Sequence, residues 1–453
     1  MILKNIPKTK LSLALISLVI TFFVWQQGLR DSLNRPSVSF DITQKEQEIA
    51  ELAVKSVPAK FKNFFITNDP LDQINKTLSN ISFNELTERN KLIYLISSES
   101  NESLKDKNIS KGFANENFNF LIEEIEKKSN NNTYNANPDK FDLFKDDRFL
   151  YHLLSKKFDF DDSSIITKSF SSQMFLKILA IRLIPLITVL LGSILALKTL
   201  WKAISLKKFG WKEIRPLELE LIDMVLLIAG GFVVLGEVVS PLFSISLVEL
   251  FSKNISNELS QSLKIFFGYI FMSIPPLLIV FYQIKSLNGE FTFKKDYFQF
   301  NFLPIKDAII QGINGWLTVV PFVLLVSLIM NSLIDNQNGS NPLLEIVLNN
   351  TNYLSFILLL ITTTLFAPLF EEIIFRGILL PTLSRDFGII LGIIISSFIF
   401  ALAHLSLAEM PPLFVLGIGL GITRIASGSL LSSVIMHSLW NGLTFLNLFL
   451  LRT

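Results

Sequence analysis

Residues 353–380 read YLSFILLLITTTLFAPLFEEIIFRGILL. Only Glu371, Glu372 and Arg376 carry charge in this run of 28. A helix crossing the hydrocarbon core of a bilayer needs about 20 mostly apolar residues, and this run exceeds that. Its charges need a reason, because each costs roughly 2.5–3.5 kcal/mol at mid-membrane on insertion scales. Glu372 and Arg376 are four apart, so on a helix they meet across one turn. Glu371 points about 100° away around the same helix and must find its partner on another one. The alternative is an ordinary ion pair in a loop at the membrane surface.

Eight more apolar stretches flank this one, at 11–25, 183–197, 224–247, 265–284, 308–330, 387–407, 412–426 and 430–450. They predict an all-α polytopic membrane protein with about nine transmembrane helices. Composition agrees: half of the 453 residues are hydrophobic and 18% are charged, against roughly 25% charged in soluble domains. Charge is concentrated in residues 31–170, which hold 19 Lys+Arg and 23 Asp+Glu. The expected order is a membrane anchor at 1–30, a mainly helical soluble domain at 31–171, helices two to five at 172–343 and a C-terminal membrane domain at 344–453. Lys4, Lys8 and Lys10 precede the first stretch as in a signal peptide, but no small-residue cleavage site follows, so an uncleaved anchor is expected.

Positive charge sets the orientation. Lys198, Lys202, Lys207, Lys208, Lys212 and Arg215 follow the second stretch, and Lys285, Lys294, Lys295 and Lys306 follow the fourth. Residues 335–352 contain neither Lys nor Arg. The N-terminus is therefore expected in the cytoplasm, and 31–171 on the extracytoplasmic side. Within that soluble part, apolar spacing predicts helices over 42–55, 83–96 and 118–128, and the composition of 129–139 predicts a loop. His152 reads as a solvated helix-face residue.

The remaining polar groups of the C-terminal domain fall into two further sets. Phe400 and His404 share one helix face, and so do His437 and Asn441. Taken singly, His404 reads as a hydrogen-bonded packing residue, and His437 with Asn441 as a link between neighbouring helices. Together with Glu371, however, they suffice for hydrolysis by an activated water. A buried carboxylate serves as general base, a histidine holds the water, and a His/Asn pair donates to the developing oxyanion. Glu371, His404 and His437 also match a ligand set for a divalent ion, zinc foremost. Glycine pairs at 388/392 and 417/421 are spaced for close helix approach. Glu237, a further acid in an apolar stretch, belongs to no motif.

Glu-Glu-x-x-x-Arg at 371–376, Phe-x-x-x-His at 400–404 and His-x-x-x-Asn at 437–441, each on its own apolar helix, resemble the CPBP family. That family comprises type II CAAX prenyl endopeptidases and bacterial proteins related to abortive infection and bacteriocin self-immunity. The resemblance covers 344–450 and does not reach the soluble part. It implies an intramembrane endopeptidase acting on a protein or lipidated-peptide substrate. Glu371 would be the base, His404 its partner, and His437 and Asn441 the oxyanion site, with Glu372 and Arg376 orienting the first motif. A scaffold that has kept the cavity without proteolysis is the alternative, and a transporter a weaker one, because no inverted repeat is evident.

Other chemistries are excluded or unsupported. With no cysteine in the chain, disulfides and Cys-ligated metals are ruled out. The net charge of +2 gives no sign of nucleic acid. Gly417-Ile418-Gly419-Leu420-Gly421 follows no strand, so nothing indicates a nucleotide.

Overall fold

The computed structural model describes residues 7–35, 38–61, 69–97, 116–130, 134, 136–206, 211–216, 218–252, 255–288, 299–300, 304–333 and 342–452. Lys4, Lys207, Lys208, Lys294, Lys295 and the first part of 335–352 lie outside them. All regular structure among the described residues is helical. Seven of these helices are long and apolar enough to cross a membrane, two fewer than the nine stretches expected. The stretch 387–407 yields a helix of only 14 residues, and the unbroken helix at 430–450 is made less apolar by Ser432, Ser433, His437, Ser438 and Asn441.

The chain divides into two compact units. One spans Ser39–Pro185 with Leu450–Thr453. Its helices are α2 (Ser39–Ala53), α3 (Pro70–Ser79), α4 (Glu88–Ser97), α5 (Glu116–Asn130), α6 (Arg148–Phe158) and the first part of α7 (Lys168–Leu206). The unit ends inside α7, a helix that runs unbroken from the charged segment into the apolar one. Ile49, Leu52, Ile74, Leu92, Leu121, Phe141, Phe149 and Leu154 form the interior. Arg89 on α4 forks between Glu48 of α2 (2.7 Å) and Asp147 (2.6 Å), and Asp147 also caps α6 by accepting from the Leu150 N–H.

His152 is not solvated; it is 3% exposed. Its Nδ1 lies 2.5 Å from Asp162 and its Nε2 3.3 Å from Glu51, while Lys156 pairs with Glu51 and Lys55 with Asp162 (2.7 Å). Burial works to raise the Glu51 carboxyl, but His152 and Lys156 outweigh it and hold it below the usual carboxylate range. Asp162 is lowered in the same way, against burial, by Lys55 and His152.

The other unit contains Met1–Val38 and Leu186–Phe449. Its helices are α1 (Lys8–Ser32), the rest of α7, α8 (Leu221–Phe251), α9 (Asn257–Asn288), α10 (Ile305–Leu333), α11 (Pro342–Asn349), α12 (Tyr353–Phe387), α13 (Ile389–Leu402), α14 (Met410–Ser427) and α15 (Leu430–Leu450). Helix α1 lies along α8, where Thr21 donates to the Ala229 carbonyl (3.2 Å) and Lys10 pairs with Asp223 (2.7 Å). Phe232, Phe370, Phe375, Phe400, Leu416 and Met436 meet in the interior. Three π-helical segments, Leu226–Val239, Thr362–Phe366 and Ile373–Leu379, each end two residues before a proline: Pro241, Pro368 and Pro381. A proline has no N–H and clashes with the carbonyl four residues earlier, and a widened turn relieves that clash.

Candidate functional site

Helix α12 places Glu371 and Glu372 on a short α-helical step, Ala367–Glu372, with π turns on either side, and Arg376 within the second of these turns. Glu371 is 8% exposed, and Glu372 and Arg376 are fully buried. Arg376 Nη1 donates to Glu372 Oε1 (2.8 Å), and Nη2 donates to the Gly417 carbonyl of α14 (3.2 Å). The guanidinium lies 4.3 Å from the Phe400 ring centroid, a desolvated cation–π contact worth about 2 kcal/mol. A Cβ on Gly417 would meet Ser397 at 2.9 Å, so only glycine lets α14 approach α13 here.

Helix α15 supplies the third motif. Its start is fixed by Gly428, whose φ of +66° ends α14 and turns the chain. His437 is 3% exposed. Its Nδ1 lies 2.9 Å from Glu372 Oε1 and its Nε2 3.9 Å from Glu371 Oε2. A carboxylate only accepts, so Nδ1 donates to Glu372, and in the tautomer that carries its one proton there Nε2 is the acceptor. Glu371 Oε2 itself is buried and has no hydrogen-bond partner among the described residues. One turn on, Asn441 Nδ2 donates to the Thr363 carbonyl of α12 (2.9 Å), and its second amide proton remains available.

The second motif sits differently from expectation. His404 lies beyond the end of α13, in a turn, and is half-buried. Its Nδ1 donates to the Phe400 carbonyl (2.8 Å), and Leu405 adopts a left-handed φ of +49°. His404 meets the cluster through Phe400, whose ring centroid is 4.7 Å from His404 and 5.7 Å from His437. The turn is clamped by α1: Leu407 N–H donates to Ser32 Oγ (3.2 Å), and Arg35 Nη1 donates to the Leu405 carbonyl (3.4 Å).

Glu371, Glu372, Arg376 and His437 thus form one network, with Asn441 a turn away and His404 at its edge. Among the described residues no group of three or more His, Asp or Glu side chains is placed to hold a metal ion. His437 holds its Nδ1 on Glu372 and His404 its Nδ1 on a backbone carbonyl, which leaves Nε2 of each ring as the remaining site.

Glu237 on α8, given no role by its sequence context, has its Oε2 buried and unpartnered. Tyr269 of α9 lies within electrostatic reach of both Glu237 and Glu371, so Glu237 borders the same polar layer. An isolated acid in an apolar run is the only sequence signal for it. Of the glycine pairs, 417/421 packs against Ser397 and Ile393 as expected, but Gly388 faces open space. Its φ of +84° makes it the turn between α12 and α13.

Residues 353–443 match the family model for type II CAAX prenyl endopeptidase Rce1-like proteins, which supports the family recognised from the motifs. With its several apolar helices, this domain marks the chain as an integral membrane protein. Residues 39–176 match a domain of unknown function, DUF8675. An uncharacterized 24.3 kDa protein of Escherichia coli is 40% identical over 89 residues, 18% of this chain and 40% of that relative's length. No solved structure matches.

Proposed function

From the Rce1-like domain at 353–443, we propose that this protein is an intramembrane endopeptidase that hydrolyses a peptide bond of a protein or lipidated peptide near the membrane. What carries the reading is the buried, unpartnered Glu371 Oε2 facing His437 Nε2 at 3.9 Å, the acceptor nitrogen of the tautomer that donates Nδ1–H to Glu372. A water between them would place its two hydrogens on Glu371 and His437 Nε2, leaving an oxygen lone pair for the scissile carbonyl. Glu371 takes the water's proton as general base while the oxygen bonds to the carbonyl carbon, and returns that proton to the amide nitrogen as the C–N bond breaks. Glu372, held by Arg376, stabilises any positive charge that reaches His437, and Asn441 Nδ2 donates to the oxyanion. His404 stands at the edge of this site, where the Phe400 ring links it to His437. No step is routed through a metal.

The lysine-rich segments after α7 and α9 support a cytoplasmic N-terminus and an extracytoplasmic position for 31–171. Because the chain has no cysteine, single cysteines in either segment can be labelled from one side of sealed vesicles to test this. Comparing membrane proteomes with wild-type and Glu371→Ala protein tests the activity. One cleavage product should vanish with the variant. Unaltered products, or full complementation by a Glu371→Ala/His404→Ala double variant, would favour a scaffold.

A further inference from the structure

A second concavity lies away from the acidic cluster, between α7, α10 and α14, with a volume of about 740 Å³. It is polarised along its length. Helices α10 and α14 run antiparallel, with Gly315 against Thr423 and Val319 against Gly419, and α7 meets α10 where Gly192 abuts Leu317 and Pro321. At one end the lining is therefore Lys198 and Lys202 of α7 with Gln311 and Asn314 of α10; toward the other it is Phe322, Leu325, Val415 and Ile418.

No Asp or Glu lines the groove. Lys198 and Lys202, one turn apart on the same face of α7, are exposed and form no ion pair among the described residues. A groove that is cationic at its head and apolar along its tail complements one class of molecule. We propose that it is a binding site for an anionic phospholipid, with the phosphate on Lys198 and Lys202 and an acyl chain laid along α10 and α14. Basic pockets between transmembrane helices hold such headgroups in the same way. The groove also adjoins the proposed active site: a Cβ on Gly315 or Gly419 would meet Met436 at 3.1 Å, and Met436 precedes His437.

Two lysines near a headgroup supply about 1 kcal/mol each, a combined factor of about 30. Native mass spectrometry of the full-length protein, titrated with dioleoyl phosphatidylglycerol or dioleoyl phosphatidylcholine, reads this directly and needs no substrate. Wild type should retain phosphatidylglycerol at least about tenfold better. Lys198→Gln/Lys202→Gln should erase the preference, and Lys198→Arg/Lys202→Arg should keep it. Ile418→Trp, which fills the tail, should weaken both lipids. Size exclusion and thermal melting of each variant separate loss of binding from loss of folding. Equal retention of the two lipids by wild type would overturn the proposal, as would an undiminished preference in the double glutamine variant. A farnesyl-cysteine methyl ester probe that displaces phosphatidylglycerol at lower concentration would assign the groove to a substrate chain instead.

Discussion

Each unit buries one histidine between two carboxylates, yet the two arrangements differ in what is left over. His152 has both ring nitrogens engaged, by Asp162 and Glu51, and each acid has its own lysine. His437 has one nitrogen tied to Glu372, and Glu372 is neutralised by Arg376. Its other nitrogen faces an acid with nothing else to bond. The first knot is closed and can only stabilise. The second is open, and buried polar groups with spare bonding capacity are where chemistry becomes available.

The largest effect should come from opening the difference further. Glu371→Gln removes the free carboxylate, and formation of the cleavage product should fall about 10²–10⁴-fold with little change in melting temperature. Retained cleavage would make the two histidine sites equivalent. Arg376→Ala strands Glu372 in the bilayer interior and should cost about 3–5 kcal/mol, read as an early melting transition in detergent; Arg376→Lys should recover only part of it, because the fork to Gly417 is lost.

The closed knot should behave in the opposite sense. His152→Leu should lower stability by about 2–3 kcal/mol and raise hydrogen exchange in α2 and α6, with cleavage unchanged. A loss of cleavage that leaves exchange unaltered would give the unit at Ser39–Pro185 a chemical role. The smallest effect is that of acid. Glu51 and Asp162 titrate below their ordinary values of 4.5 and 3.8 in the fold, so their contribution is complete above those values. It is lost as the pH falls through the folded values. Protection from hydrogen exchange in α2 and α6, referred to the intrinsic exchange rate at each pH, should therefore fall only at the acid end of the range from about pH 7 to about pH 3.

These two sites also mark what sequence can and cannot reveal. The open site is legible because charge inside an apolar run is costly, so Glu371, Glu372, Arg376 and His437 stand out against their neighbours in the chain. The helix expected at 430–450 is found as α15 with the same limits. His152 misleads because its partner Glu51 lies 101 residues away, and a polar neighbourhood gives a buried residue no contrast. The position of His404 is hidden for a related reason: apolar residues continue past Leu402, although α13 ends there. The π turns have a signal in Pro241, Pro368 and Pro381, but a proline in an apolar run says only that the helix is disturbed, not how.

The clamp between Ser32 and Leu407 spans 375 residues of chain. Translation proceeds at about 5–20 residues per second, so the end of α1 is made roughly 20–75 s before the turn that it grips. During that interval the first helix has entered the membrane while its final contact does not yet exist. The cluster around Glu371 and His437 can thus be completed only after that turn is made, and a nascent chain stalled before it would carry α1 and the unit at Ser39–Pro185 without it.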